Sequence, residues 1–127
     1  MSTIPFTYID TAAGLQSCLR SILSARKVAI QTKINPHTPL LYVDIEGNDL
    51  CRYGTISLIQ IYVPLVNTTF VLDVLVLGKE AFTTSVIEEE EMTLKSLLES
   101  PEIVKCFFDG MVVFLEVGCD SLMGLSS

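Results

Sequence analysis

The sequence predicts an α/β fold, and three observations lead to this prediction. Three segments rich in β-branched and aliphatic residues, Leu40–Glu46, Thr55–Val63 and Thr69–Val74, are joined by short connections. Such connections favour antiparallel pairing, because a parallel return needs a crossover of about a dozen residues or more. A segment with helical periodicity then precedes a fourth strand, which can therefore lie parallel to the first.

The first predicted element is a helix near the N-terminus. Apolar residues recur there at the i, i+3, i+4 spacing of one helical face: Leu15, Cys18, Leu19, Ile22 and Leu23. Asp10 or Thr11 can cap the start, because both side chains accept hydrogen bonds from the free N–H groups of a first turn. We expect this helix to end near Arg26.

A proline-containing turn separates this helix from the first strand. The turn is Asn35–Pro39, in which each proline disfavours helix at the residue before it. The first strand then runs over Leu40–Glu46 and ends at Gly47, and the second runs over Thr55–Val63 and ends at Pro64. With the third strand, they form a three-stranded antiparallel meander.

The second half of the chain supplies a helix and the last strand. Four acids, Glu88–Glu91, precede Met92–Glu99, in which leucines keep helical spacing. Acids favour a helix N-terminus, and the dipeptide at Ser100 and Pro101 ends the helix. Glu102–Phe108 is the predicted fourth strand, so the plan is a meander, a parallel strand and flanking helices.

Length and composition narrow the class of protein. A chain of 127 residues suits one domain. The apolar runs Phe70–Leu77 and Phe107–Val117 contain acids and are too short for the roughly 20 apolar residues of a spanning helix. The N-terminus lacks the pattern of a secretory signal, so we expect an intracellular protein, cytoplasmic or nuclear, without membrane contact.

Charge restricts the possible partners. The chain has 8 Lys+Arg against 15 Asp+Glu, a net charge of −7. This composition does not provide a broad basic surface for phosphate groups. Any contact with a nucleic acid must therefore be local or mediated by a metal ion.

Two carboxylates share one face of the first strand. Side chains alternate along a strand, so Asp44 and Glu46 point the same way. Neighbouring anions near a core repel each other unless a cation neutralises them, and Mg²⁺ or Mn²⁺ prefers carboxylate oxygens. Phosphodiester hydrolysis is therefore a candidate reaction. On spacing alone, a solvated strand end before Gly47 is the favoured alternative, because the D-x-E pattern is common.

The segments around these acids resemble a known family. The runs LLYVDIEGNDLCRYGTISLIQIYV, TTFVLDVLVLGKEAF and MTLKSLLESPEIVKCFFD occur in the order found in the N-terminal half of the DEDD-type 3′-to-5′ exonucleases. The likeness is greatest to the ribonuclease D and Egalitarian-like branch, and it covers about residues 26–109. It implies a ribonuclease H-like fold. It also assigns Asp44 and Glu46 to the first catalytic motif, where they hold two Mg²⁺ or Mn²⁺ ions.

The sequence departs from the family pattern after Asp109. The family has a second acid on the helix after the fourth strand, and a third motif that pairs a Tyr or His with a final Asp. By the family's spacing after the acid that ends this strand, the resemblance implies the second acid at Val113, which is not an acid. Asp120 lies further along, and whether it substitutes stays open. The third motif does not occur before Ser127.

We therefore expect residues 1–127 to form one partial 3′-to-5′ exonuclease-like domain, incomplete in its fold and metal site, with a divergent tail at 110–127. The change at Asp109 predicts a retained intron, a frameshift or an early stop. The expected function is metal-dependent hydrolysis at the 3′ end of single-stranded RNA or DNA, impaired in this chain. The alternatives are a non-catalytic remnant that binds nucleic acid or protein, and a chain that folds poorly.

Overall fold

The computed structural model describes residues 5–48, 55–88 and 90–107, which form two β-sheets and flanking helices. The elements in chain order are β1 (Phe6–Ile9), α1 (Ala12–Gln31), β2 (Leu41–Asn48), β3 (Thr55–Val63), a 3₁₀ turn (Pro64–Val66), β4 (Thr68–Asp73), α2 (Val74–Leu77), α3 (Glu80–Thr83), β5 (Ser85–Ile87), β6 (Glu91–Thr93), α4 (Leu94–Glu99) and β7 (Lys105–Phe107). In these ranges, no helix combines the length and the apolar character needed to cross a membrane.

The large sheet has the strand order β1-β4-β3-β2-β7. Strands β2, β3 and β4 form an antiparallel meander, as the short connections predict. Strand β7 pairs with β2 in parallel, with Leu41 opposite Lys105 and Val43 opposite Phe107. The predicted meander and the parallel fourth strand are confirmed, and β2 is an interior strand with a partner on each side.

Helix α1 begins where the sequence predicts but continues beyond the predicted end. The Thr11 side chain accepts a hydrogen bond from the Gly14 N–H at 3.0 Å, so Thr11 is the N-cap. The helix runs to Gln31 instead of ending near Arg26. Its last buried residue is Ala25, and no proline or glycine interrupts the exposed turns that follow. The apolar period therefore ends before the helix does.

The acidic run does not form a helix N-terminus, and this prediction was wrong. Glu91 begins β6, which pairs antiparallel with β5. Val86 and Met92 face each other across this hairpin and are both buried, so apolar burial favours the strand. Helix α4 starts later than predicted, at Leu94, after Thr93 as N-cap.

Strand β1 is an additional element. It pairs in parallel with β4 at the edge of the large sheet. Of its residues, only Ile9 is buried, so β1 lacks the alternation of buried and exposed residues that identifies a strand in sequence. The fourth predicted strand also begins later than predicted, at Lys105 instead of Glu102.

The hydrophobic core lies on one face of the large sheet. The strands contribute the following buried residues to it: Ile9, Leu41, Val43, Ile45, Ile59, Ile61, Val63, Phe70 and Leu72. Helix α1 adds Leu15, Leu19 and Ile22, and α4 adds Leu94, Leu97 and Leu98. Burial of this apolar surface is the main favourable contribution to folding.

The opposite face, which we call the open face, carries side chains that alternate with those of the core. The register across the strands assigns these residues to it: Phe6, Tyr8, Tyr42, Asp44, Glu46, Leu58, Gln60, Tyr62, Thr69, Val71, Asp73 and Cys106. All of them are half-buried or exposed. The described residues therefore leave this face accessible to solvent.

Candidate functional site

Strand β2 directs the two candidate acids onto the open face. Leu41, Val43 and Ile45 point into the core and are buried, which fixes the register of the strand. The residues between them must then face outward. Asp44 is half-buried and Glu46 is exposed, so both carboxylates are accessible on the same face.

A β-bulge lies beside the second carboxylate. Glu46 is opposite Leu58 and Gly47 is opposite Ile56, so Ser57 has no partner on β2. The Ser57 hydroxyl donates a hydrogen bond to the Glu46 carbonyl oxygen at 3.1 Å. Bulges bend a strand and increase its twist, and they often re-aim side chains near functional sites. The regular ladder therefore changes at the residue that carries the second acid.

Polar and aromatic side chains surround Asp44 on the open face. Gln60, on the neighbouring strand β3, lies opposite Asp44. In the next row, the rings of Tyr42 and Tyr62 lie 6.3 Å apart between centroids and are inclined by 41°. The Tyr62 hydroxyl donates to the Asn67 side-chain oxygen at 3.0 Å, which fixes that ring. Asp44 therefore lies beside an ordered tyrosine pair.

The carboxylate oxygens at this site are of the type that a hard divalent cation prefers, but they are few. In residues 5–48, 55–88 and 90–107, no group of three or more His, Cys, Asp or Glu side chains is arranged to hold a metal ion. Mg²⁺ commonly binds one or two protein carboxylates and completes its shell with water and phosphate oxygens. Asp44 and Glu46 fit this mode of binding.

A third acid of the open face, Asp73, has a structural role. Its carboxylate accepts a hydrogen bond from the Val76 N–H at 3.1 Å and caps α2. It also accepts a hydrogen bond from the Tyr8 hydroxyl. This bond lowers the pKa of Asp73 and raises the pKa of Tyr8 to about 12. Asp73 therefore links β1 to α2.

Several residues singled out in the sequence lie outside the described part of the chain. These are Asp109, where the family pattern ends, Val113, where it needs a second acid, and Asp120, which was left open as a substitute. The divergent tail at 110–127 also lies there. The predictions about these residues stay predictions.

Solved structures share the fold. The catalytic core of RRP6 from Trypanosoma brucei aligns with a TM-score of 0.58 and 20% identity over 94% of this chain and 26% of that chain. RNase D from the same organism in complex with RNA U12 gives 0.58 and 24% over 95% and 35%. The RNase D complex with GMP gives 0.57 and 25% over 94% and 31%.

These comparisons confirm the predicted fold class at the level of structure. The mixed sheet and flanking helices match part of the fold of these structures. The chain spans about a quarter to a third of the length of these neighbours. No family model matches the sequence, and no curated protein matches it.

Proposed function

We propose that this chain carries the first part of a 3′-to-5′ exonuclease-type domain that acts on the ends of single-stranded nucleic acid. The observation that carries the proposal is the pair Asp44 and Glu46 on the open face of the interior strand β2, within a fold shared with RNase D. RNA is the favoured substrate, since one of the similar structures is a complex with RNA. DNA is the competing substrate.

Asp44 and Glu46 would hold Mg²⁺ or Mn²⁺. When bound, such an ion activates water and neutralises charge that develops on a phosphodiester. The chain's own contribution is to hold the two carboxylates at fixed positions. The buried residues that alternate with them fix the register of the strand. The bulge at Ser57 would orient the second carboxylate.

We propose further that this activity is impaired. The family pattern has four acids, whereas the described residues contain no group of three or more side chains that could hold a metal ion. Acids that position a metal ion supply much of the transition-state stabilisation in such sites. We expect trimming by the 127-residue chain to be at or near background.

Metal binding is the direct test of the site. Mn²⁺ titrated into the full chain should bind weakly, and Asp44→Asn should abolish the signal in isothermal titration calorimetry. Asp73→Asn is the matched control, because it changes another acid of the open face while Asn still serves as an N-cap. Loss of binding in both variants, or in neither, would contradict the assignment of Asp44.

A nuclease assay tests the reaction. Single-stranded RNA and DNA labelled at the 5′ end would be incubated with the full chain in Mg²⁺, Mn²⁺ or EDTA. Efficient metal-dependent trimming that disappears in Asp44→Asn would support the exonuclease assignment and contradict the impairment. Metal binding without trimming would support both statements.

A second candidate function is binding without catalysis. It is favoured by the accessible tyrosine pair on the open face, since nucleobases stack on aromatic side chains. Fluorescence anisotropy of labelled RNA distinguishes the two candidates. Equal affinity in EDTA and in Mg²⁺, lost in Tyr62→Ala and retained in Asp44→Asn, would favour the binding module.

A further inference from the structure

A second concave site lies at the other end of β2. A cavity of about 460 Å³ is formed by the end of α1, the segment 34–40, the 3₁₀ turn and the residues 102–104 before β7. We call it the basal cleft. It reaches Tyr42 but not Asp44 or Glu46. Its volume lies within the roughly 300–1,000 Å³ of small-molecule sites.

The basal cleft has an apolar, protected floor and an apolar, exposed rim. Ile103 is buried in the floor, beside half-buried Leu40 and Val104. Ile30 and Leu65 stand at the rim, exposed by 64% and 42%. Exposure therefore increases from the floor to the rim. A compact molecule can fill such a recess, because its deepest apolar surface is already shielded from water.

Hydrogen bonds hold the floor of the cleft in place. The Leu40 N–H donates to the Val104 carbonyl oxygen at 2.9 Å, which joins the residues directly before β2 and β7 in the floor. The Lys105 ammonium donates to the carbonyl oxygens of Ser100 at 2.7 Å and Ile103 at 2.6 Å. These bonds fix the segment before β7. A floor that is already ordered lowers the entropic cost of binding.

The segment that forms the outer wall is also fixed. The Asn35 side-chain oxygen accepts from the His37 N–H at 2.9 Å, and the Asn35 carbonyl oxygen accepts from the Thr38 N–H at 2.9 Å. Pro36 and Pro39 restrict the backbone of the same segment. The wall therefore keeps its shape without a ligand.

The charges of the cleft are matched within it. Arg26 and Glu102 are the charged residues in its lining, and their side chains approach to 3.6 Å. An ionic ligand would have to compete with this pair and enter apolar surroundings, which is costly for a charge. A neutral ligand meets neither obstacle. The Tyr42 ring, packed near that of Tyr62, offers an aromatic contact.

We propose that the basal cleft binds a neutral, largely apolar small molecule that contains an aromatic ring. The proposal is independent of the nuclease function, because it uses neither Asp44 nor Glu46. It rests on the volume, the protected apolar floor, the fixed walls and the internally matched charge.

The test uses the full chain and Nile red, a neutral aromatic dye whose fluorescence rises in apolar surroundings. We expect saturable binding with one dye per chain. Ile30→Glu places a carboxylate at the rim and should weaken binding by about tenfold or more. Ile87→Glu is the matched control, since Ile87 is 72% exposed and lies outside the cleft; it should leave binding unchanged. Leu65→Glu provides a second rim variant.

Four outcomes would overturn the proposal. The first is an absence of saturable dye binding, and the second is equal binding to Ile30→Glu and Ile87→Glu. The third is displacement of the dye by single-stranded RNA, which would assign the cleft to nucleic acid. The fourth is a dimer in sedimentation that excludes the dye and is lost in Ile30→Glu, which would assign the cleft to a second copy of the chain.

Discussion

The two faces of β2 divide the strand between stability and chemistry. Leu41, Val43 and Ile45 are buried in the core, whereas Asp44 and Glu46 lie on the open face and remain accessible. Because the pleat alternates, both sets are positioned by a single register. Substitutions on the core face should therefore change folding, and substitutions on the open face should change binding.

The largest effect is expected on the core face. Leu41→Ala removes a fully buried side chain and should lower the free energy of unfolding by about 2–5 kcal/mol. Urea unfolding followed by circular dichroism measures this change. Leu58→Ala, at a half-buried position of the open face, is the control and should cost less. Equal losses would remove the distinction between the faces.

A smaller effect is expected where the core helix α4 begins. The Thr93 hydroxyl oxygen accepts from the Ser96 N–H at 3.1 Å, and the Ser96 hydroxyl oxygen accepts from the Thr93 N–H at 2.8 Å. Thr93→Ala breaks this capping box and should cost about 1 kcal/mol. Thr93→Ser keeps the hydroxyl and should retain most of the stability. A wild-type unfolding midpoint for the Ala variant would show that the cap contributes nothing.

The open-face acid should contribute little to folding. Asp44→Asn should change the free energy of unfolding by less than about 0.5 kcal/mol. Mn²⁺ should raise the melting temperature of the wild type and not that of the variant, because a ligand that binds only the folded chain stabilises it. A large loss of stability without metal would show that Asp44 is a structural residue.

The Tyr8–Asp73 hydrogen bond should make stability depend on pH at both extremes. The folded pKa of Asp73 is lowered, so its contribution is present above the unfolded pKa and is lost as pH falls through the folded pKa. The folded pKa of Tyr8 is raised from 10.0 to about 12, so its contribution is lost as pH rises across that interval. Tyr8→Phe should weaken both the alkaline and the acidic dependence. An unchanged profile of melting temperature against pH would contradict this.

Sequence patterns predict the elements in which residue type or spacing follows burial. Thr55–Val63 was predicted with the bounds that β3 has, and Leu40–Glu46 nearly coincides with β2, because both strands are rich in β-branched and aliphatic residues. Strand β1 was not predicted, because its residues do not alternate between buried and exposed positions. The hairpin β5–β6 was not predicted, because its strands have three residues each and only one pair across it, Val86 and Met92, is buried.

The two candidate sites also differ in how far the sequence predicts them. Asp44 and Glu46 are neighbours in sequence, so alternation along one strand places them together. The basal cleft is assembled from four separate segments, and none of them carries a pattern that points to the others. The cleft therefore exists only in the tertiary structure.

The pairing of β1 with β4 has a consequence for how the chain folds. Tyr8 and Asp73, which connect these elements, are 65 positions apart in sequence, whereas β2, β3 and β4 follow one another. Closing so long a loop costs entropy before any contact repays it, and non-local pairing slows folding. The meander should therefore form early, and the N-terminal strand should join the sheet late in refolding and leave it early in unfolding.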